Sequence, residues 1–150
     1  GGIVAYLLQP GDPGYSSETI HGLIAATNDQ SSGIDWGCFN ILIPGADGII
    51  LGTGFQNSVD ITGNCQQADF AAKLCRNYSG GGYSDWYLPS KDELNKLYQN
   101  KTAIGCSDGY WSSSEIDNSY AWAQNFNTGV QLSTVLKANG FYKVRAIRSF

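Results

Sequence analysis

Two close pairs of carboxylates, Asp92-Glu93 and Glu115 with Asp117, are the first candidates for chemistry. A glycosidase works with two carboxyl groups facing each other across about 5–10 Å. Here Asp92 and Glu93 follow Pro89-Ser90, where a helix start accounts for both, and Glu115 with Asp117 falls in a turn-like segment. A hydrolytic pair would have to be gathered from distant positions. His21 is the lone histidine, and a general base needs a positioned partner that spacing does not supply. Gly52-x-Gly54 lacks the third glycine and the following helix of a dinucleotide site, and Gly80-Gly81-Gly82 is followed by no Gly-Lys-Ser or Gly-Lys-Thr. With no Cys-x-x-Cys, zinc ligation is not indicated either. The residues point away from an enzyme.

Charge offers a second kind of chemistry. The net charge of −4 on its face argues against an anionic partner such as nucleic acid or a sulfated sugar. Its distribution is uneven, however. All 13 acids lie within the first 117 residues, whereas residues 118–150 carry Lys137, Lys143, Arg145 and Arg148 and no acid. That end is a candidate anion-binding face, weighed against the plainer reading that these cations pair with the acidic remainder. The four tryptophans, Trp36, Trp86, Trp111 and Trp122, could stack on sugar rings, but in a chain of this size such residues more often fill the core. Trp86 and Trp111 are assigned to packing, and any surface role goes to loop tyrosines.

The chain of 150 residues suits one domain. With 19 glycines and only 15% charged residues it reads as a compact, loop-rich body of the secreted or surface kind. It has no apolar run of the roughly 18 residues that a membrane span needs, and Gly1-Gly2 is not a signal sequence. Cys38, Cys65, Cys75 and Cys106 allow three pairings. If residues 65–77 are helical, Cys65 and Cys75 stand roughly 15 Å apart, too far for a bridge. Cys38–Cys65 with Cys75–Cys106 is preferred over the crossed alternative.

The positioning elements follow from local pattern. Ile3 to Leu8 and His21 to Ala26 read as an antiparallel pair of strands around the turn residues Pro10 to Gly14. Thr27 to Gly63 reads as loops with short strands. A helix is expected over Cys65 to Asn77 with Asn64 as N-cap, from apolar positions Ala68, Ala71, Ala72 and Cys75. Ser90 with Glu93 has the spacing of a capping box, so a second helix should begin at Lys91 and bury Leu94, Leu97 and Tyr98. Strands are expected at Tyr110 to Ser113, Tyr120 to Phe126 and Val130 to Lys137. Asn139-Gly140 then predicts a hairpin into Phe141 to Phe150, with Lys143 and Arg145 on one face and Arg148 on the other.

The order Gly-Gly-Tyr-Ser-Asp-Trp-Tyr-Leu-Pro-Ser-Lys-Asp-Glu-Leu, then Tyr110-Trp111-Ser112-Ser113-Ser114-Glu115, Ala121-Trp122 with Phe126, and Val144-Arg145-Ala146-Ile147-Arg148 resembles the domain at the C-terminal end of the Legionella collagen-like adhesin. Gly1-Gly2-Ile3-Val4 and His21-Gly22-Leu23-Ile24-Ala25-Ala26 fit the same pattern, so the resemblance covers nearly the whole chain. It implies a single α+β, C-type-lectin-like domain, with two helices packed on antiparallel sheets, long loops and disulfides. It further implies a trimeric head on a collagen-like stalk at the bacterial cell surface, binding sulfated glycosaminoglycans. The residues that would hold sulfate are Lys137, Lys143, Arg145 and Arg148, with Lys91, Lys96 and Lys101 as a second patch; Arg145 is also read as a buried arginine paired with an acid such as Glu115. No cofactor is expected. Calcium stays a minor alternative, because the Glu-Pro-Asn and Trp-Asn-Asp tripeptides of calcium-dependent lectins are absent. The other readings are a head that registers the stalk and a protein-binding module.

Overall fold

A computed structural model describes residues 1–150. Strands β1 (Ile3–Leu7), β2 (Gly22–Ala25) and β6 (Ile147–Ser149) form one antiparallel sheet in the order β1-β2-β6. Strands β3 (Gly109–Glu115), β4 (Tyr120–Asn125) and β5 (Gln131–Leu136) form a second, a simple meander. Between them in sequence lie helices α1 (Gly54–Asn64), α2 (Ala71–Asn77), α3 (Lys91–Gln99) and the single turn α4 (Lys101–Ile104). The fold is α+β with two small sheets, and the expected pair of helices is in fact four.

The start of α3 forms as its sequence dictates. Ser90 Oγ accepts the Glu93 amide at 3.4 Å and Glu93 Oε2 accepts the Ser90 amide at 2.7 Å. Glu93 is fully buried, and its second oxygen takes Gly52 N–H at 3.0 Å and the Tyr87 hydroxyl at 3.2 Å. The capping carboxylate thereby ties three segments together.

Three expectations are corrected. Residues 54–64 are helical rather than loop. The inward side of α1 is largely polar, which hides it from apolar periodicity: Ser58 Oγ accepts Leu88 N–H at 3.0 Å, and Asn57 Nδ2 donates to Gly48 O at 2.6 Å. Consequently Asn64 ends α1 instead of capping the next helix, and α2 begins only at Ala71. Finally, Asn139-Gly140 does not fold the chain back on β5. The segment after it crosses to the other strands, where Lys143 N–H and O bond Gly109 and Trp111, and Ile147 exchanges both backbone bonds with Tyr87. Burial of Val144, Ala146 and Ile147 outweighs the local turn preference.

One core gathers Trp36, Trp86, Trp111, Phe70 and Cys75; a second gathers Tyr110, Phe126, Leu94, Leu97 and Cys106. Trp86 and Trp111 are fully buried, as assigned. The bridge Cys38–Cys65 is present, with Cα atoms 5.6 Å apart. Cys75 and Cys106 are free buried thiols, which corrects the second expected bridge: the two sit in different cores. No helix is long and apolar enough to cross a membrane.

Candidate functional site

The seven cations read from the sequence as sulfate ligands do not converge. Lys137 is completely buried; its ammonium pairs with the Glu115 carboxylate, donates to Ile41 O at 2.8 Å and lies 4.8 Å from the centre of the Trp36 ring. Ile43 N–H completes the shell, donating to both Glu115 oxygens at 3.0 Å. This corrects Lys137 from a surface ligand to a core ion pair. Arg145 is likewise structural, but its acid is Asp29, at 2.7 Å from Nε, rather than Glu115. Its Nη1 donates to Ala26 O and Ile104 O, both at 2.9 Å.

Arg148 forms a bidentate pair with Asp85, at 2.8 and 2.9 Å, and its guanidinium lies 3.8 Å from the centre of the Tyr83 ring. The pair holds the Asp85 carboxyl below the usual carboxylate range. Lys143 reaches Asp108 at 2.8 Å and Asp29 at 4.0 Å. The acid-free end of the sequence is thus neutralised by acids from elsewhere in the chain. In the second patch, Lys91 pairs with Asp92 at 3.2 Å and lies over Trp122; Lys96 lies over Tyr6; Lys101 lies over Tyr98 and donates to Phe126 O. All nine lysines and arginines are buried or half-buried.

Two cations outside both predicted patches stand apart. Lys73 and Arg76, on α2, form no ion pair and line a cleft of about 460 Å³ between the end of α1 and α2. Thr62, Gln66, Gln67 and Asn77 supply the rest of its polar wall, and no carboxylate lines it. The spacing i, i+3 puts both side chains on neighbouring positions of one helix. Lys73 Nζ donates to Ala68 O at 2.6 Å, and Arg76 Nη1 donates to Trp86 O at 3.2 Å while its guanidinium lies 4.7 Å from the centre of the Phe55 ring. Each cation keeps further N–H donors beyond these anchors. The neighbouring disulfide fixes the rim, because Cys65 lines the cleft. Such a wall of fixed cations and amides can hold a sulfate, phosphate or carboxylate group. The signal that could have found it was in the sequence: Lys73 and Arg76 share an expected helix, and residues 70–84 contain no acid.

The carboxylates weighed earlier have structural partners. Glu93 caps α3, Glu115 holds Lys137, and Asp117 Oδ1 accepts Ser119 N–H at 2.7 Å and Tyr120 N–H at 2.8 Å. No group of three or more His, Cys, Asp or Glu side chains is assembled that could hold a metal ion.

Comparison with known proteins agrees with this architecture. A fimbrial protein from Bacteroides ovatus is similar in structure, with a TM-score of 0.58 at 17% identity over 85% of this chain and 35% of its own. The likeness is one of fold, and this chain spans about a third of that protein's length. No curated protein sequence matches. The pattern of the Lcl C-terminal domain matches residues 25–148, from the middle sheet strand β2 to the Arg148 clamp on β6, and the chain therefore belongs to the Lcl C-terminal domain family.

Proposed function

We propose that this chain is a single non-catalytic, C-type-lectin-like adhesin domain, displayed outside a bacterial cell as the trimeric head of a longer collagen-like protein, that binds sulfated polysaccharide in the α1–α2 cleft. Family membership supports the adhesin role. The single observation that carries the ligand class is the cleft itself, where Lys73 and Arg76 stand without a carboxylate partner in a molecule that otherwise neutralises most of its cations. A disulfide beside the cleft suits an oxidising exterior.

The test is binding of the domain to heparin and to an unsulfated polysaccharide across a salt series, with and without EDTA. Sulfate-selective binding that weakens with salt and survives EDTA is expected, and the pair Lys73→Gln with Arg76→Gln should weaken it by about 10-fold or more, as loss of charge-assisted hydrogen bonds requires. Unchanged heparin binding by that double variant would sink the assignment.

A specific observation also favours self-association. Phe39, Ile41 and Leu42 are exposed on the segment that Lys137 anchors through Ile41 O, and Ile116 and Leu136, also exposed, adjoin the Glu115–Lys137 pair in sequence, apolar residues suited to a subunit contact. Sedimentation of the domain, alone and carrying Leu42→Asp, reads this directly.

A further inference from the structure

Asn139-Gly140, the strongest short turn signal in the sequence, does not make the hairpin it predicts, and the fold gives its glycine no other task. Gly140 is exposed and does not take a positive φ, and a Cβ built on it would come no nearer than 3.4 Å to anything beyond its chain neighbours, the atom met being Asp35 Oδ1. Neither conformation nor packing requires glycine there. What glycine alone supplies is a peptide nitrogen with no side chain beside it. We propose that Asn139-Gly140 is a site of spontaneous covalent change, where the Asn139 side chain closes on the Gly140 nitrogen and loses ammonia. This chemistry is independent of anion binding in the α1–α2 cleft.

The groups that react are free, and the turn around them is fixed. The Gly140 N–H, whose nitrogen is the nucleophile, has no acceptor in the protein. Asn139 Oδ1 accepts Phe141 N–H at 3.1 Å, which folds the side chain back along the Gly140 peptide and sets a donor on the oxygen where negative charge develops during attack. That is the only hydrogen bond of the Asn139 side chain, so Nδ2, the leaving group, is unheld. Trp36 N–H on Lys137 O at 2.8 Å and Ile34 N–H on Tyr142 O at 3.2 Å pin the turn from both sides. The other asparagines followed by a small residue lack this freedom. Ser119 N–H, after Asn118, donates to Asp117 Oδ1 at 2.7 Å; Thr128 N–H, after Asn127, donates to Asn125 Oδ1 at 3.2 Å; and Asn57-Ser58 lies buried inside α1.

In the first step hydroxide removes the Gly140 amide proton, the nitrogen bonds to Asn139 Cγ, the Cγ–Nδ2 bond breaks, and ammonia departs with a proton from water, leaving a cyclic succinimide. Water then opens the ring. Breaking the new Cγ–N bond gives aspartate on the original backbone, whereas breaking the bond from the nitrogen to the Asn139 carbonyl carbon gives isoaspartate, with one more methylene in the main chain. Overall one water enters and one ammonia leaves. Either product brings a carboxylate into the turn that packs beside Asp35, where like charges repel. Isoaspartate also lengthens the chain between the two backbone bonds that pin the turn to residues 34 and 36.

The experiment is incubation of the domain at neutral and at mildly alkaline pH, native and in urea, followed by peptide mapping with isoaspartate detected by enzymatic methylation. A gain of about 1 Da is expected at Asn139, as both aspartate and isoaspartate, and faster at the higher pH because the nitrogen attacks deprotonated. In the native domain its rate should stay within about tenfold of the rate in urea, as for a site outside the protected core, whereas folding should slow Asn118 and Asn127 far more. Gly140→Ala, which has room for its methyl group, should fold and convert several-fold more slowly because the nitrogen is crowded; Asn139→Gln, which cannot close the same ring, should show no gain at that position. The converted fraction, separated by its added charge, should melt below the fresh protein. A native rate at Asn139 suppressed as strongly as those at Asn118 and Asn127, or Gly140→Ala converting as fast as the parent, overturns the assignment.

Discussion

Lys137 shows how a residue's surroundings decide its role. An ammonium group taken from water is tolerated here because a carboxylate, a backbone carbonyl and the face of Trp36 replace its hydration shell, while Ile43 N–H steadies the carboxylate. Such a pair is costly to break and cheap to replace as a unit. Lys137→Met leaves Glu115 as an uncompensated buried charge and should destabilise the domain by about 3–5 kcal/mol. Adding Glu115→Gln removes that charge yet keeps an acceptor for Ile43 N–H, so the double variant should recover a large part of the loss. Denaturant unfolding of the three proteins checks the coupling; additive losses would mean that the pair is not the origin of the effect. The same contrast separates the candidate ligands. Lys73 and Arg76 line an acid-free cleft, whereas Lys137 and Arg145 are buried and paired with Glu115 and Asp29.

At the scale of elements, α1 and α3 meet end to side with little room. A Cβ placed on Gly54 would lie 2.2 Å from Glu93 Oε2 and 2.6 Å from Ser90 N, inside the capping box itself. Gly54→Ala should therefore cost about 1–3 kcal/mol, the usual penalty of overpacking, although alanine is the better helix former. Thermal unfolding beside Gly63→Ala, on the same helix with open space around it, isolates the steric effect. The elements legible in the sequence are those whose signals are local: the Ser90–Glu93 cap, the β1–β2 pair and the β3–β4–β5 meander. Helix α1 was illegible because its inward groups, Asn57 and Ser58, bond to the backbone of Gly48 and Leu88 in other segments instead of burying carbon. The last strand was misread for the opposite reason, a strong turn signal at Asn139-Gly140 overruled by pairing with Tyr87 and β2. The basic patch drawn from residues 137–148 failed likewise, since a count of charge along the chain cannot see Asp29, Asp85 and Glu115 arriving from other segments.

Across the whole molecule this arrangement makes electrostatics a source of cohesion. Arg148 on β6 clamps the loop before Trp86 through Asp85, Lys143 ties its segment to Asp108, and Tyr6 with Lys96 joins β1 and α3 to Asp12. Each of these carboxyls is held below its ordinary value, by hydrogen bonds from Arg148, Lys143 and Tyr6 respectively. A carboxyl depressed by folding contributes stability that is fully present above its unfolded pKa of about 4 and is lost as pH falls through the lower folded value. The melting temperature should accordingly be flat near neutrality and decline below about pH 4, as the clamps are protonated in turn. Asp85→Asn removes one linked proton: it should lower the melting temperature at neutral pH and flatten the acid limb, so that variant and parent converge as pH drops. Parallel curves with a constant gap would instead place the role of Asp85 in packing against its neighbours. The distinction bears on recognition, because the clamps keep the cations of β6 and its approach occupied, whereas in the α1–α2 cleft Lys73 and Arg76 stand side by side with no carboxylate in the lining.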